Sequence, residues 1–249
     1  MVIFIKIYPV NLQCLLNIKI KNMKKIELWF IAMLVTATAT ATYAQNTFFP
    51  TKAGTVLTYA NKDAKGKASS YTRLTIKTVE GSGNNFSITY AGEALDSKQK
   101  PVSDPPMEIS YTVTVNNGVV EWDMKTFAAP GTEGFIEIEG DKLRIPPTLS
   151  PGDKLNDVKF TMTINMGFKI RTEIELTDQQ CLAIEDVTVP AGTFKCHKVT
   201  QKSTATVMRK STVSKSVSWF APGTGTVKTE TYDAKDKLQG STELIELKN

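Results

Sequence analysis

The residues that could carry chemistry are few in this chain, and their spacing argues against most catalytic sites. His197 is the only histidine among 249 residues, which excludes most zinc sites and leaves any histidine-dependent triad resting on one side chain. Its neighbour Cys196 cannot pair with it as nucleophile and base, because adjacent residues of a strand point to opposite faces. Gly-x-Ser-x-Gly, Walker and His-Glu-x-x-His motifs do not occur. The sequence therefore predicts no catalytic, metal or cofactor site on these residues.

Carboxylates offer the remaining route to catalysis. Two Glu residues at a suitable separation could act as the acid and base of a glycoside hydrolase, and candidates occur at Glu133, Glu137 and Glu139 and at Glu173 and Glu175. Alternating Glu residues are more typical of the solvent-exposed face of a sheet. We therefore expect a protein that is not an enzyme, with a carbohydrate hydrolase as the less favoured alternative.

A binding function has a basis in one long apolar face. It consists of alternate residues of a single predicted run: Phe160, Met162, Ile164, Met166, Phe168 and Ile170. Methionine adapts to varied ligand shapes, and a curved sheet with such an interior could enclose a lipid or another apolar small molecule. The alternative is that these side chains simply fill the core.

Two cysteines, Cys181 and Cys196, flank a segment in which Pro190 and Gly192 predict a turn between two β-rich runs. If those runs pair antiparallel, the cysteines come near one another across the hairpin. In an oxidising compartment we expect them to form a disulfide, which would stabilise the fold by roughly 3 kcal/mol. A pair of buried, unlinked thiols is the alternative.

Strands must position these residues, because apolar and polar residues alternate with period two through most of the chain after Thr47. Turn signals such as Asn116-Asn117-Gly118 and Pro222-Gly223-Thr224-Gly225 recur at short intervals. No window of a dozen residues has a helical stripe. The pattern predicts an all-β antiparallel meander of about 12 to 14 strands.

A weak internal repeat indicates that this sheet is curved. Residues 54–74 and 225–244 both read as strand, Asp-Ala-Lys turn and strand. Two such hairpins near the two ends of the chain suggest that the first and last strands occupy equivalent, neighbouring places in one sheet. Chance similarity between two ordinary hairpins is the alternative.

The segment from Met23 to Gln45 has the three parts of a secretory signal peptide: Lys24 and Lys25, an apolar run to Val35, and a small-residue cleavage site before Gln45. We predict that residues 1–22 are a non-native extension, that residues 23–44 are the signal peptide and that residues 45–249 form one all-β domain. A subdivision near residues 146–152 is the alternative. The apolar run is too short for a transmembrane anchor, and no Cys follows it to carry a lipid.

Charge gives no support for a nucleic-acid partner. Removing the leader takes away five Lys and one Glu, so 25 basic and 24 acidic residues remain and the net charge falls from +5 to about +1. Nucleic-acid binding needs a dense basic surface. The small cluster of Arg209, Lys210 and Lys215 is typical of a solvated strand face.

Two segments, Val189–Val199 and Ser218–Lys228, resemble the TapB-like exported proteins, which are related to a larger domain-of-unknown-function family of envelope β proteins. Both motifs are structural: a hairpin turn, then an aromatic strand that enters a Gly turn. The resemblance implies an envelope location and an open or incomplete β-barrel, broadly similar to periplasmic lipoprotein carriers. It implies no catalytic residues.

Together these features favour an exported, non-catalytic envelope protein, either periplasmic or outer-membrane-associated or secreted. Its expected role is to bind a lipid, lipoprotein or other apolar ligand within a curved β-sheet. The alternative is a structural or protein-interaction module of a cell-surface or periplasmic assembly, which would use an exposed edge strand to pair with a partner.

Overall fold

The computed structural model describes residues 47–104, 106, 108–123, 125, 136–165 and 167–249. Regular structure in these residues is almost entirely β, which confirms the predicted class. The strands, in chain order, are β1 (Val56–Asp63), β2 (Ala68–Ser82), β3 (Asn85–Leu95), β4 (Glu108–Asn116), β5 (Val119–Trp122), β6 (Ile136–Gly140), β7 (Leu143–Ile145), β8 (Val158–Asn165), β9 (Lys169–Val189), β10 (Gly192–Val207), β11 (Lys210–Ala221), β12 (Gly225–Asp233) and β13 (Leu238–Lys248). The predicted leader and extension lie outside the described residues.

All thirteen strands belong to one antiparallel sheet, in the order β6-β8-β9-β10-β11-β12-β13-β1-β2-β3-β4-β5-β7. Most neighbours in the sheet are also neighbours in sequence, as expected of a meander. The first and last strands pair along most of their length, with Leu57 opposite Leu247 and Asn61 opposite Thr242. This agrees with the neighbouring places that the internal repeat suggested.

The sheet curls until its two ends approach each other. β6 and β7 stand at opposite ends of the strand order, but only Asp141 and Lys142 separate them in sequence. One run of chain therefore pairs with β8 through Ile136–Gly140 and with β5 through Leu143–Ile145. No ladder joins β6 to β7 in the described residues, so the sheet stays an open barrel, as predicted.

The core lies on the concave side of this sheet, where alternate residues of each strand point inward. Along β8, Val158, Phe160 and Met162 are buried and alternate with more exposed residues. Ahead of β1, the side chains of Phe48 and Phe49 are also buried, at 2% and 0% exposure, and belong to the same apolar cluster. An aromatic segment outside the ladders thus helps to fill the interior.

One sheet spans the described part of the molecule on both sides of residues 146–152. β7 lies before this segment and β8 after it, and both are strands of the same sheet. Within the described residues, no helix has the length and apolar character needed to cross a bilayer.

Candidate functional site

The apolar face predicted to contact a ligand is divided between the core and the surface. Its buried members are Phe160, Met162 and Ile170. Ile164 is half-buried, whereas Phe168 is 59% exposed in the turn between β8 and β9. Met166 lies outside the described residues. The buried members fill the core, and a ligand-facing role for this face stays a prediction.

A small cavity lies inside the sheet. Its volume is about 10 Å³, and its walls are formed by Phe48, Ile145, Leu149, Leu155, Val199 and Phe220. A cavity needs roughly 10–15 Å³ to hold one water molecule, whereas pockets for small-molecule ligands measure about 300–1,000 Å³. This cavity therefore has no room for a lipid chain.

The predicted disulfide between Cys181 and Cys196 is wrong, because both residues are buried free thiols. The register of the β9–β10 hairpin puts Val199 opposite Cys181 and Glu185 opposite Cys196. Cys196 and Val199 are three positions apart along the strand, a distance of roughly 10 Å, whereas a disulfide needs Cα atoms within about 7 Å. Strand residues three apart also point to opposite faces. The two sulfur atoms therefore cannot be joined unless β9 and β10 pair in a different register.

Both thiols should react only after the protein unfolds. Burial raises the pKa of Cys181, and it raises the pKa of Cys196 to about 12. At pH 8 the thiolate fraction of Cys196 is then about 10⁻⁴. We expect Ellman's reagent to detect both thiols in denatured, unreduced protein, and to react at least about 100-fold more slowly with the native protein. Absence of thiols after denaturation would contradict the hairpin register.

His197 has the contacts of a packed strand residue. Its ring meets Phe48 edge-on, with 5.0 Å between ring centroids, and is hydrogen-bonded to the backbone of Leu149. Partial burial lowers the pKa of His197, so the imidazole is neutral at pH 7. Cys196 and His197 are adjacent strand residues that point to opposite faces, so the pair does not have the geometry of a nucleophile and its base.

The described candidate carboxylates lie on the solvent-exposed face of their strands. Those in the described residues are exposed or half-buried: Glu137, Glu139, Glu173 and Glu175. Glu175 Oε1 accepts a hydrogen bond from Lys159 Nζ at 2.7 Å, which raises the pKa of that lysine. Glu133 lies outside the described residues. Among the residues that can be placed, no three His, Cys, Asp or Glu side chains cluster as metal ligands would.

The clearest binding feature is the half of β9 that extends past its neighbour. β9 runs to Val189, but β8 pairs with it only as far as Leu176. Residues 152–155 continue the pairing, since Gly152 N–H donates to the Cys181 carbonyl at 2.8 Å. From Leu182 to Val189, no described strand pairs with this side of β9. We call residues 182–189 the free edge.

The backbone of the free edge turns three donor and acceptor pairs outward. Pro190 and Ala191 form a two-residue turn, closed by Val189 opposite Gly192, and the closing pair of such a hairpin exchanges both hydrogen bonds. Alternation along the strand then directs the N–H and C=O groups of Ile184, Asp186 and Thr188 away from β10. The 2.9 Å contact between the hydroxyls of Thr188 and Thr193 fits this pattern, because side chains approach most closely in non-hydrogen-bonded pairs.

The free edge is held in a strand conformation by contacts on its paired side. Glu185 accepts a hydrogen bond from the Trp219 indole at 2.7 Å and forms an ion pair with Lys198 at 3.3 Å. The indole hydrogen bond is the main cause that lowers the pKa of Glu185. At the hairpin tip, Ala191 N–H donates to the Leu244 carbonyl at 3.4 Å. A partner would therefore meet a strand that is already ordered.

Two side chains of the free edge add apolar surface. Leu182 is 47% exposed and Ile184 is 39% exposed, whereas most large apolar residues of the described chain are buried. The sequence predicted a strand here but not its missing neighbour. The difference in length between the long β9 and the short β8, which follows a proline-rich loop, could have indicated that part of β9 has no neighbour.

No curated protein matches this chain. A protein from Bacteroides fragilis, described as exported and with a YmcC-like fold, has 22% identity and a TM-score of 0.64, over 81% of this chain and 99% of that one. A protein from Parabacteroides distasonis, described as a lipoprotein, has 25% identity and a TM-score of 0.66, over 84% and 100%.

These likenesses confirm the fold, and the family follows from a match along most of the sheet. The model of the DUF3108-like family matches residues 52–244, which include all thirteen strands except the end of β13. The predicted resemblance is thereby confirmed at the level of this family, whereas a narrower TapB-like assignment is not shown. The chain belongs to the DUF3108-like family.

Proposed function

We propose that this protein is an exported, non-catalytic component of the cell envelope that binds a protein partner by β-strand addition at the free edge of β9. The observation that carries the proposal is the outer side of the backbone of residues 182–189, which pairs with no described strand. An extended peptide can pair with such an edge through main-chain hydrogen bonds, while side-chain pockets supply specificity. Leu182 and Ile184 offer the partner an apolar contact beside the backbone.

The interior supports a protein partner over an enclosed apolar ligand. Phe160 and Met162, on the face expected to contact such a ligand, are buried in the core, and the cavity beneath Phe48 and Phe220 has the volume of about one water molecule. A role at the surface needs no reorganisation of this packing.

Export is supported from two directions. The sequence carries the pattern of a cleaved secretory leader before Gln45, and the two similar solved structures are described as an exported protein and a lipoprotein. We place the protein in the periplasm or at the outer membrane, where a lipoprotein or another envelope protein would supply the added strand.

Substitution of Asp186 by proline should abolish partner binding while keeping the fold. The Asp186 N–H points away from β10, so Pro removes no hydrogen bond of the sheet and is tolerated at an edge. It does remove a donor from the free edge and places its ring where a partner strand would lie. With a photo-crosslinking amino acid in place of Thr188, we expect Asp186→Pro to lower the yield of a discrete protein adduct in cells at least about tenfold.

Asp186→Ala is the matched control, because it removes the same side chain but keeps the N–H. It should leave the adduct yield within about twofold. Unfolding midpoints of both variants establish that the sheet is intact. Equal yields from the proline and alanine variants, or no discrete adduct from the unsubstituted edge, would overturn strand addition.

A further inference from the structure

Three turns of this protein share one sequence pattern and one geometry. The pattern is Asp-x-Lys-x-Lys, at residues 63–67, 96–100 and 233–237. In each turn the Asp Oδ1 accepts hydrogen bonds from the backbone N–H groups of both lysines, at 2.7–3.0 Å. The fourth residue has a positive φ in every case, 79° at Gly66 and 59° at both Gln99 and Asp236. The turn of the internal repeat, which the sequence shows twice, therefore occurs three times in the structure.

This geometry commits the carboxylate to the backbone and leaves the lysines unpaired. The backbone hydrogen bonds lower the pKa of Asp96 and of Asp233, so both stay ionised at neutral pH. All six lysine side chains are exposed, and in the described residues none forms an ion pair: Lys65, Lys67, Lys98, Lys100, Lys235 and Lys237.

Strand direction brings these turns to one end of the sheet. Alternate strands of an antiparallel sheet run the same way, and β8, β10, β12, β1 and β3 are alternate members of the strand order. Their carboxyl ends, with the turns that follow, therefore lie on one side. We call these five turns the basic rim; in the described part of the chain it comprises residues 63–67, 96–100, 167–169, 208–210 and 233–237.

The tips of the basic rim also lie at similar heights along the barrel axis. Asp233 is in the register row of Ser203, four residues before β10 ends at Val207. Asp63 is in the row of Thr231, two residues before β12 ends. In both cases the later strand in the sheet order ends before its neighbour in the register, and the offset has the same direction. Strands of a barrel are inclined by about 35–45° to its axis. With that inclination, such an offset brings the strand ends to similar heights along the axis.

Charge is strongly divided between the basic rim and the rest of the protein. The rim holds nine Lys or Arg residues and four Asp. Since residues 45–249 contain 25 basic and 24 acidic residues in total, the remainder has 16 basic and 20 acidic. The five turns of the rim therefore carry a net charge of about +5, whereas the remainder of residues 45–249 carries about −4.

Exposed apolar side chains are concentrated at the same end. Met208 is 73% exposed and Phe168 is 59% exposed, at the tips of neighbouring hairpins, and Val102, beside the turn at residues 96–100, is 50% exposed. The other large apolar residues with comparable exposure in the described chain are the two on the free edge of β9. Basic turns with apolar tips are the combination that peripheral proteins use at membrane surfaces.

We propose that the basic rim docks this protein on an anionic lipid surface. Lysine and arginine side chains approach the phosphate groups, while Phe168 and Met208 enter the boundary between headgroups and acyl chains. An aqueous polyanion would attract the lysines equally but would gain nothing from exposed Phe and Met tips, so the lipid surface is the occupant that uses both features. The inference is independent of the partner proposed for the free edge.

The test is sedimentation of the exported protein with vesicles of phosphatidylcholine, with and without one third phosphatidylglycerol. We expect at least about tenfold tighter binding to the anionic vesicles, weakening as salt is added. Neutralising four rim lysines in the variant Lys65→Gln, Lys67→Gln, Lys98→Gln and Lys100→Gln should weaken that binding at least about tenfold. The turns should survive, since these lysines hold them through backbone N–H and C=O groups, which the substitutions keep.

The control makes the same charge change at the opposite end of the sheet, in the variant Lys52→Gln, Lys154→Gln, Lys195→Gln and Lys248→Gln; it should bind anionic vesicles as the unsubstituted protein does. The double variant Phe168→Ser and Met208→Ser should weaken binding several-fold and keep its salt dependence. Equal losses from the two lysine variants would overturn the docking surface. Unchanged binding by the Phe168 and Met208 variant, with full competition by heparin, would identify a soluble polyanion instead of a membrane.

Discussion

Replacement of Phe49 by alanine is expected to lower the free energy of unfolding by about 3–5 kcal/mol. The side chain is fully buried and packs edge-on against Trp122, with 6.1 Å between ring centroids. Its segment precedes β1. Backbone hydrogen bonds join this segment to the sheet at its two ends, from Gly223 N–H to the Thr47 carbonyl at 2.9 Å and between Gly54, Thr55 and Ile76. Between these ends the buried aromatic rings attach the segment to the core, and Phe49→Ala removes one of those rings and leaves a cavity.

Chemical denaturation followed by tryptophan fluorescence measures this loss. Phe168→Ala is the matched control, because it deletes the same side chain at a position that is 59% exposed; it should change the unfolding free energy by no more than about 0.5 kcal/mol. A Phe49→Ala variant less than about 1 kcal/mol below this control would show that the segment before β1 does not contribute to the core.

The fold could be predicted from the sequence because its signals are local. Period-two alternation marks strands one at a time, and Asn117-Gly118 marks a tight turn whose two residues indeed have positive φ, 50° and 79°. A meander connects such strands mainly through short turns, so local signals also determine most of the strand order. The pairing of β1 with β13 is long-range, but the repeated hairpin sequence at both ends of the chain indicated it.

The disulfide prediction failed because it relied on closeness in sequence instead of register. Cys196 lies five residues after the turn residue Ala191, whereas Cys181 lies nine before Pro190, so a hairpin closed at Val189 and Gly192 cannot set them opposite one another. An additional residue in β9, Leu182, moves the partner of Cys181 from Thr200 to Val199, which is still three positions from Cys196 and on the opposite face. Such a bulge depends on the packing of the whole sheet, and the sequence carries no local sign of it.

The candidate surfaces depend on relations between strands that the sequence does not display. The free edge exists because the β8 ladder reaches only to Leu176 while β9 continues. Predicting it would need the ends of both strands and their register. The basic rim exists because alternate strands point the same way. The near-zero net charge of the exported chain conceals it. The turn from Asp96 to Lys100 also lacks the Ala that the other two turns share in Asp-Ala-Lys.

The curled sheet itself depends on one glycine. Gly140 ends β6 with φ +138°, and a Cβ at this position would lie 2.5 Å from the Cα of Phe160 on β8 and would also collide with the Lys159 carbonyl. Both obstructing atoms are backbone, so no side-chain rotation can relieve the clash. The strand through Gly140 joins the two ends of the sheet, because it pairs with β8 before Asp141 and with β5 after Lys142. Any relief must therefore open this joint.

We expect Gly140→Ala to lower the unfolding free energy by about 3 kcal/mol or more, from backbone strain and overpacking together. Gly152→Ala is the control that separates the two causes. Gly152 also has a positive φ, +99°, but no atom lies within 4 Å of an added Cβ. Gly152→Ala should therefore lower the unfolding free energy only by the conformational cost, about 1–2 kcal/mol. Hydrogen exchange should localise the loss in Gly140→Ala to β6 and β8 before global unfolding. If both variants unfold at the same denaturant concentration, close contact at Gly140 does not hold the ends of the sheet together.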